Sequence, residues 1–370
     1  MPVKLSDLDP SAVVAPGRAT IADVAREAEV SKTTVSRYLG GEFAVLSEPV
    51  QARIEAAIAR LGYQPSQMAR GLKRGHTRLI GMVVADVLNP YSVAVLDGAE
   101  AACQQHGYTL ALCNTGDDEA RERQSLAALR SYSVEGLIVH TQGRNVQPIQ
   151  QMAAAGLPVV LVDRKLAGFD GDLVGLDNHE AARQATLHLI ERGFTDLAFV
   201  TAPMHGLSSR QERETSFRQV LTRHPGCQGR TLELDIREPG LMDDALRGFL
   251  AFSRGRRGAG VAATGVVTLE VVRALRRLGL KTPDDLGLLG FDELDWSALV
   301  GPGITTLAQP TYEIGFRAFE CLLARLRGDL SPPRQILLPG RLIPRGSTHL
   351  ANGTGIPLGA SLVEKRRGQG

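Results

Sequence analysis

Near the start of the chain, apolar positions repeat at helical spacing. "TIADVAREAEVSKTTVSRYL", residues 20–39, reads as two short helices around a tight corner. Thr20 predicts an N-cap for a helix through about Glu27, with Val24 and Ala25 turned inward. Ser31 predicts the cap of a second helix over 32–39, closed by Gly40 and Gly41. Val35 and Leu39 face inward there, which leaves Lys32, Thr33, Thr34, Ser36 and Arg37 as a polar face. The corner itself, "EAEVS", places Glu29 where a left-handed backbone favours glycine. A third helix follows in "SEPVQARIEAAIARLG", opened by Ser47 and Pro49 and ended by Gly62. Its apolar stripe, Val50, Ile54, Ala57, Ile58 and Leu61, lets three short helices share one small core.

From Leu79 the pattern changes to short continuous apolar runs separated by helical stretches. "LIGMVVAD", "YTLALCN", "EGLIVH" and "LPVVLVD" read as buried strands, with helices expected over 93–106, 118–131 and 147–155. A second round has helices at 178–192, 209–223, 241–253 and 266–278, with strands "DLAFV", "TLELD", "GVAAT" and "LGLLG". "ITTLAQP", a helix over 311–327 and "RQILLP" complete it. Repeated β-α alternation predicts doubly wound parallel sheets, and two rounds predict two lobes with a cleft at the carboxyl ends of their strands. The expected architecture is thus an all-α helix-turn-helix head followed by an α/β core of two doubly wound lobes.

The segment between these regions, "YQPSQMARGLKRGHTR", has little apolar surface, and a helix of about two turns is marginal alone in water. Five Lys or Arg and no Asp or Glu lie between Arg60 and Arg78, a basic block suited either to a polyanion or to a solvated linker. The divisions drawn are a leader over 1–17, a head over 18–63, a hinge over 64–77, a core over 78–344 and a tail over 345–370. Within the core, one lobe takes 78–177 with 308–342 and the other takes 178–307.

A chain of 370 residues with 43% hydrophobic and 22% charged residues is long enough for two or three packed domains. Cys103, Cys113, Cys227 and Cys321 are far apart and sit in apolar stretches, as expected of reduced core cysteines in the cytosol. No apolar run reaches the length of a membrane span, and "MPVKLSDLDP" lacks a signal-peptide core, so a cytoplasmic protein is expected. No metal or cofactor is expected. An enzyme is the main rival class. "GRRGAGVAATG" precedes its strand, the wrong order for a phosphate cradle, and the "DD" pairs at 117, 243 and 284 fall at expected helix starts.

The ordered set "TIADVAREAEVSKTTVSRYL", "YQPSQMARGL", "IGMVVADVLNPY", "LGLLGFDELDW" and "ITTLAQP" resembles the LacI/GalR family of transcriptional repressors, from Thr20 to about Pro344. "NPYSVAV", "CNTGDDEARE", "SYSVEGLIV" and "NGTGIPLGA" are most similar to its 2-ketogluconate-responsive members. The resemblance implies that the second helix enters the major groove of DNA. Lys32, Thr33 and Arg37 match base-contacting positions, and Arg37 could take a guanine edge through two hydrogen bonds. Thr34, Ser36 and Thr20 suit phosphates, and Ser31 belongs to the same surface. In the hinge, Leu72 matches a leucine wedge and Ala69 a close-packing position, while Ser66 stands where the family usually has asparagine. The wedge needs two copies, so a homodimer (or a tetramer of such dimers) on a pseudo-palindromic operator is implied.

For the cleft, the resemblance implies an effector contacted by Tyr91, Ser92, Arg213 and Asp292, and Gln309, on the strand that crosses between the lobes, is a candidate beside them. His140 and Thr141 end the third strand and Asp163 and Arg164 the fourth, so all four are candidates as well. Thr264 is a further candidate where relatives carry "ND"; here Thr264-Gly265 replaces it. Trp296 is either a stacking platform or a packing residue. Arg213, Arg164 and His140 would suit a carboxylate, which favours a sugar acid, 2-ketogluconate or a related gluconate, over a neutral sugar. A periplasmic-type sugar-binding protein would share the two lobes but not the head. The implied mechanism is cleft closure that separates two hinges and relieves operator binding; the opposite sign, with the effector as corepressor, remains open.

Overall fold

The computed structural model describes residues 19–64, 76–143, 145–253 and 255–349. The chain divides between Thr77 and Arg78 into two compact units.

The first unit contains α1 (Ile21–Glu27), α2 (Lys32–Leu39) and α3 (Glu48–Leu61). Val24, Ala25, Ala28, Val35, Ile54 and Ala57 are buried together, with Leu39, Val50, Ile58 and Leu61 packed around them. The expected inward faces are therefore the observed ones. Ser31 caps α2 by accepting from Thr34 N at 3.1 Å. Gly62 ends α3 in the left-handed conformation that its missing Cβ allows. Ser66, Ala69 and Leu72, with most of the basic block, lie outside the described residues.

The second unit holds two six-stranded sheets. The first sheet comprises β1 (Leu79–Val84), β2 (Thr109–Asn114), β3 (Gly136–His140), β4 (Val159–Val162), β5 (Asp172–Leu176) and β11 (Gln335–Leu338), in the order β11-β5-β4-β3-β1-β2. The second comprises β6 (Asp196–Thr201), β7 (Gln228–Glu233), β8 (Gly258–Ala262), β9 (Gly287–Phe291), β10 (Thr305–Ala308) and β12 (Arg341–Ile343), in the order β12-β10-β9-β8-β6-β7. All pairings are parallel except β10 with β12. The two orders are the same pattern repeated, so β4 and β9 occupy equivalent places in their lobes.

Helices α4 (Pro90–Gln105), α5 (Glu119–Ser131), α6 (Val146–Ala154) and α11 (Thr311–Leu326) belong to the first lobe. Helices α7 (Asn178–Glu191), α8 (Ser208–Thr222), α9 (Leu241–Phe252) and α10 (Gly265–Leu278) belong to the second. α4 and α11 cross with their backbones touching. A Cβ on Gly98 would lie 1.9 Å from Tyr312 O, and one on Gly315 1.9 Å from Val95 O. Only glycine at both positions permits this crossing.

Several expected boundaries shift. α4 begins three residues before the expected start, because Asn89 accepts from Tyr91 N and Pro90 fits a first helical turn. β5 was not expected: a loop instead of a helix joins it to β4, so the β-α alternation gives no cue for it. β8 begins two residues early on Gly258, where alanine and glycine give no β-branched signal. Asp118 caps α5 and Asp243 opens α9 as expected, but Asp284 lies in a turn.

The chain's last described stretch departs most from the divisions drawn. β12 joins the second sheet, not the first, and residues 345–349 are packed against it instead of trailing away. Ser347 Oγ donates to Leu288 O at 2.6 Å and accepts from Thr305 N at 2.7 Å. Thr348 Oγ1 lies 2.8 Å from His188 Nε2, whose burial pushes its pKa down to about 4. Trp296 is partly buried against the second-lobe core, as a packing residue is. All four cysteines are free, and burial pushes the Cys103 thiol up to about 12.

Candidate functional site

The head presents the polar face that the sequence predicts. Ser31, Lys32, Thr33 and Arg37 are exposed, and Thr34 and Ser36 are half-buried beside buried Val35. Lys32 and Arg37 make no ion pair among the described residues, so both charges are available to a polyanion. Thr20 is less free than expected. Its backbone N–H and its hydroxyl both donate to Asp23 Oδ2, at 2.9 and 2.7 Å, and these bonds hold the Asp23 carboxyl below its usual range. The Ser31 and Thr34 hydroxyls bond one another at 2.8 Å.

The corner between α1 and α2 explains how a non-glycine residue serves there. Val30 N donates to Ala25 O at 2.9 Å and Glu29 N to Arg26 O at 3.2 Å, the paired bonds of a Schellman turn. That turn puts Glu29 at φ +53°, the left-handed region. Arg53 stands 3.8 Å from its carboxylate, too far and too exposed to compensate much. Glu29→Gly should stabilise the head by about 1 kcal/mol. Hydrogen exchange of head amides in the full chain would show it as slower exchange; unchanged rates would mean the corner carries no strain.

Between the lobes, the strand ends gather a dense polar cluster. Asp163 follows β4 and Asp292 follows β9, the equivalent strands of the two lobes. Both have a left-handed backbone, at φ +68° and +72°. Each N–H donates across to the neighbouring strand, Asp163 to Val174 O and Asp292 to Leu307 O, each at 3.0 Å. The turn at each strand end thereby places a buried carboxylate at the cleft. Asp163 accepts from Arg164 Nε at 2.9 Å and from Ser209 Oγ of the opposite lobe at 3.3 Å. Burial works against its charge, but His140 and Arg164 outweigh that and hold its pKa well below the usual range. Asp292 accepts from Gly265 N at 2.7 Å and Gln309 Nε2 at 2.6 Å, yet burial dominates and raises its pKa.

Arg213 lies at the centre of this cluster and is buried. It donates to Asn178 Oδ1 at 2.8 Å, Ala263 O at 2.7 Å and Gln309 Oε1 at 3.3 Å, and it stacks 4.3 Å above Phe291. None of these partners carries a negative charge, and burial lowers the pKa of the guanidinium. Tyr91 Oη, Ser92 Oγ and His140 Nε2 are buried and make no hydrogen bond among the described residues. His140 Nε2 is 3.4 Å from Asp163 Oδ2, close but off the line of a hydrogen bond. Burial, then Arg164, lower its pKa, so the ring is neutral at neutral pH. Burial, then Asp163, raise Tyr91 well above its ordinary value, so it remains a hydroxyl donor.

Tyr91, Ser92, His140, Asp163, Arg164, Arg213, Asp292 and Gln309 are thus brought to the lobe interface. Thr141 reaches it with its backbone carbonyl, and Thr264 stands next to Gly265, whose N–H bonds Asp292. The Thr141 hydroxyl donates to Glu122, at 2.9 and 3.0 Å, while its carbonyl accepts from Arg164. The Thr264 hydroxyl caps α10 by accepting from Val267 N at 3.3 Å. Asn178, Ser209 and Arg210 were not anticipated. Ser209 and Arg210 lie in the same "SSRQERETSF" stretch as Arg213, and their i, i+4 and i, i+3 spacing to it was the available signal. Across the cleft edge, Lys165 N donates to Ser208 Oγ and Lys165 Nζ to Glu212 Oε1, both at 2.8 Å.

A helix-turn-helix head and a two-lobed α/β core on one chain define a DNA-binding transcriptional regulator. Residues 20–66 match the model of bacterial regulatory proteins of the lacI family, and residues 186–348 match a periplasmic binding protein-like domain. The HTH-type transcriptional regulator PtxS of Pseudomonas aeruginosa is 54% identical over 333 residues, covering 90% of this chain and 96% of that protein. The HTH-type transcriptional regulator KdgR of Bacillus subtilis is 38% identical over 332 residues, covering 90% and 98%. In fold, the chain is similar to the lac repressor dimer bound to operator and the anti-inducer ONPF, with a TM-score of 0.78 and 23% identity over 90% of this chain and 100% of that one. The chain belongs to the lacI family and is a DNA-binding transcriptional repressor, similar over nearly all its length to PtxS regulators. No helix among the described residues is long and apolar enough to cross a membrane.

Proposed function

We propose that this protein represses transcription as a homodimer on a pseudo-palindromic operator, and that a sugar acid bound between the lobes releases it. The effector is 2-ketogluconate or a closely related gluconate. The observation that carries this reading is buried Arg213, a cation whose hydrogen-bond partners are all neutral. Arg164 and Arg210 add to it, so three guanidinium groups stand against the buried carboxylates Asp163 and Asp292. In a desolvated cleft that excess of positive charge favours an anionic ligand. Asp292, Gln309, Ser92 and Tyr91 supply the acceptors and donors that sugar hydroxyls need. Similarity to regulators named PtxS and KdgR supports the same direction.

The functional chemistry is binding, not turnover. The cleft's carboxylates are tied to arginine, amide or backbone donors, which suits recognition more than proton transfer. Operator release follows if the liganded lobes hold an arrangement incompatible with paired heads. Calorimetry against gluconate, 2-ketogluconate and their neutral sugar counterparts tests the ligand class. Fluorescence anisotropy of labelled operator, with and without each ligand, tests the sign. Acid binding with a fall in operator affinity is expected. Preference for neutral sugars would overturn the ligand class, and tighter operator binding would make the effector a corepressor.

A further inference from the structure

Arg210 is the charged group of the cleft that the contacts described so far leave unused. It stands in the first turn of α8, next to Ser209, which bonds Asp163 across the cleft, and three residues before Arg213. Its Nη1 donates to Pro203 O at 2.8 Å. Its Nε is buried and makes no hydrogen bond among the described residues. The charges that act on it most are Arg164, Asp163, Arg213 and Asp117. Asp163 is already engaged by Arg164 and Ser209, and Asp117 accepts from Gln142. Burial, then Arg164, push the Arg210 guanidinium down to about 10, so it remains charged at neutral pH.

A guanidinium has two edges that can hold a carboxylate with two parallel hydrogen bonds. On Arg210 the Nη1 corner is fixed on Pro203, which leaves the Nε–Nη2 edge. Arg213 differs: all three of its nitrogens already donate within the protein. The two arginines therefore have separable tasks.

We propose that Arg210 is the residue that selects for an acid, taking the effector's carboxylate on its Nε–Nη2 edge, while Arg213 and Asp292 hold the rest of the molecule. This rests on the sugar-acid reading above. The position that makes an acid an acid is then read by a residue outside the set that the sequence singled out.

The test uses the full chain and two probes that differ at one carbon. D-fructose carries a hydroxymethyl group where 2-ketogluconate carries its carboxylate. Arg210→Gln should weaken 2-ketogluconate by about 10–100-fold, as loss of charged hydrogen bonds implies, and change fructose by less than about threefold. Arg210→Lys, which keeps the charge without the fork, should fall between wild type and Arg210→Gln. Circular dichroism melts confirm that both variants fold. If Arg210→Gln binds 2-ketogluconate as wild type does, or loses both probes equally, the assignment is wrong. If Arg210→Lys binds 2-ketogluconate as tightly as wild type, charge alone selects the acid and the Nε–Nη2 edge assignment is wrong. If wild type binds neither 2-ketogluconate nor gluconate, the sugar-acid reading itself fails, an outcome distinct from a failed Arg210 assignment.

Discussion

Arg213→Met should weaken effector binding by about 1.5–3 kcal/mol, the usual worth of a hydrogen bond to a charged group. Methionine keeps the length and apolar stem that cover Phe291 but removes every donor. Asn178 Oδ1, Ala263 O and Gln309 Oε1 then lose the group that holds them. Gln309 is the more serious loss, because its Nε2 orients Asp292. The effect therefore extends to two further cleft groups, so neutral sugars should weaken as well, and acids by more, because the substitution also removes a buried positive charge. That differs from the selective loss expected at Arg210. The variant should remain on operator DNA at effector concentrations that release the wild type. Stability should fall by about 1–3 kcal/mol, because buried acceptors are left unsatisfied. Calorimetry and operator anisotropy read the first two effects, and urea unfolding reads the third. A variant with lower stability but unchanged effector affinity would make Arg213 a purely structural residue.

The contrast between Arg213 and Arg210 also marks how far the sequence could be read. β-α alternation located the two lobes because each buried strand is an apolar run and each helix carries a stripe at its own period. It missed β5, which follows a loop, and it placed β12 in the wrong lobe because three residues carry too little pattern to show which sheet they join. Asp163 and Asp292 were each legible as strand-end residues. That they are equivalent positions of two repeated sheets, both in left-handed turns, is a property of topology and emerges only when strand order is known. Thr141 and Thr264 show the opposite limit. A hydroxyl beside a cleft looks available in sequence, but Glu122 and the first turn of α10 claim these two first. Arg210 and Ser209 were hidden for a related reason. Knowing that α8 begins near residue 208 does not reveal which residues of its first turn meet the other lobe.

Arg37→Ala should reduce affinity for the specific operator by about 2–6 kcal/mol, on the reading of a bidentate guanine contact worth about 1–3 kcal/mol made once by each of two heads. The geometry of α2 supports that reading. Arg37 is exposed, makes no ion pair among the described residues, and lies four residues after Thr33 on the face opposite Val35. α2 itself is fixed from behind by buried Val35 and at its start by the Ser31 cap, so the substitution removes a reader without loosening the helix that carries it. Alanine also favours helix more than arginine does, so head stability should hold or rise slightly. Loss of affinity should be concentrated on specific DNA. Non-specific binding, driven by phosphates, should fall far less, and its salt dependence should change little, because a base contact releases no phosphate counterion. Effector affinity, measured by calorimetry, should be unchanged, because the substitution lies in the other compact unit of the chain. Anisotropy titrations on operator and scrambled duplexes across a salt series separate these terms. An equal loss on both duplexes would make Arg37 a phosphate contact and move base reading to Lys32 and Thr33.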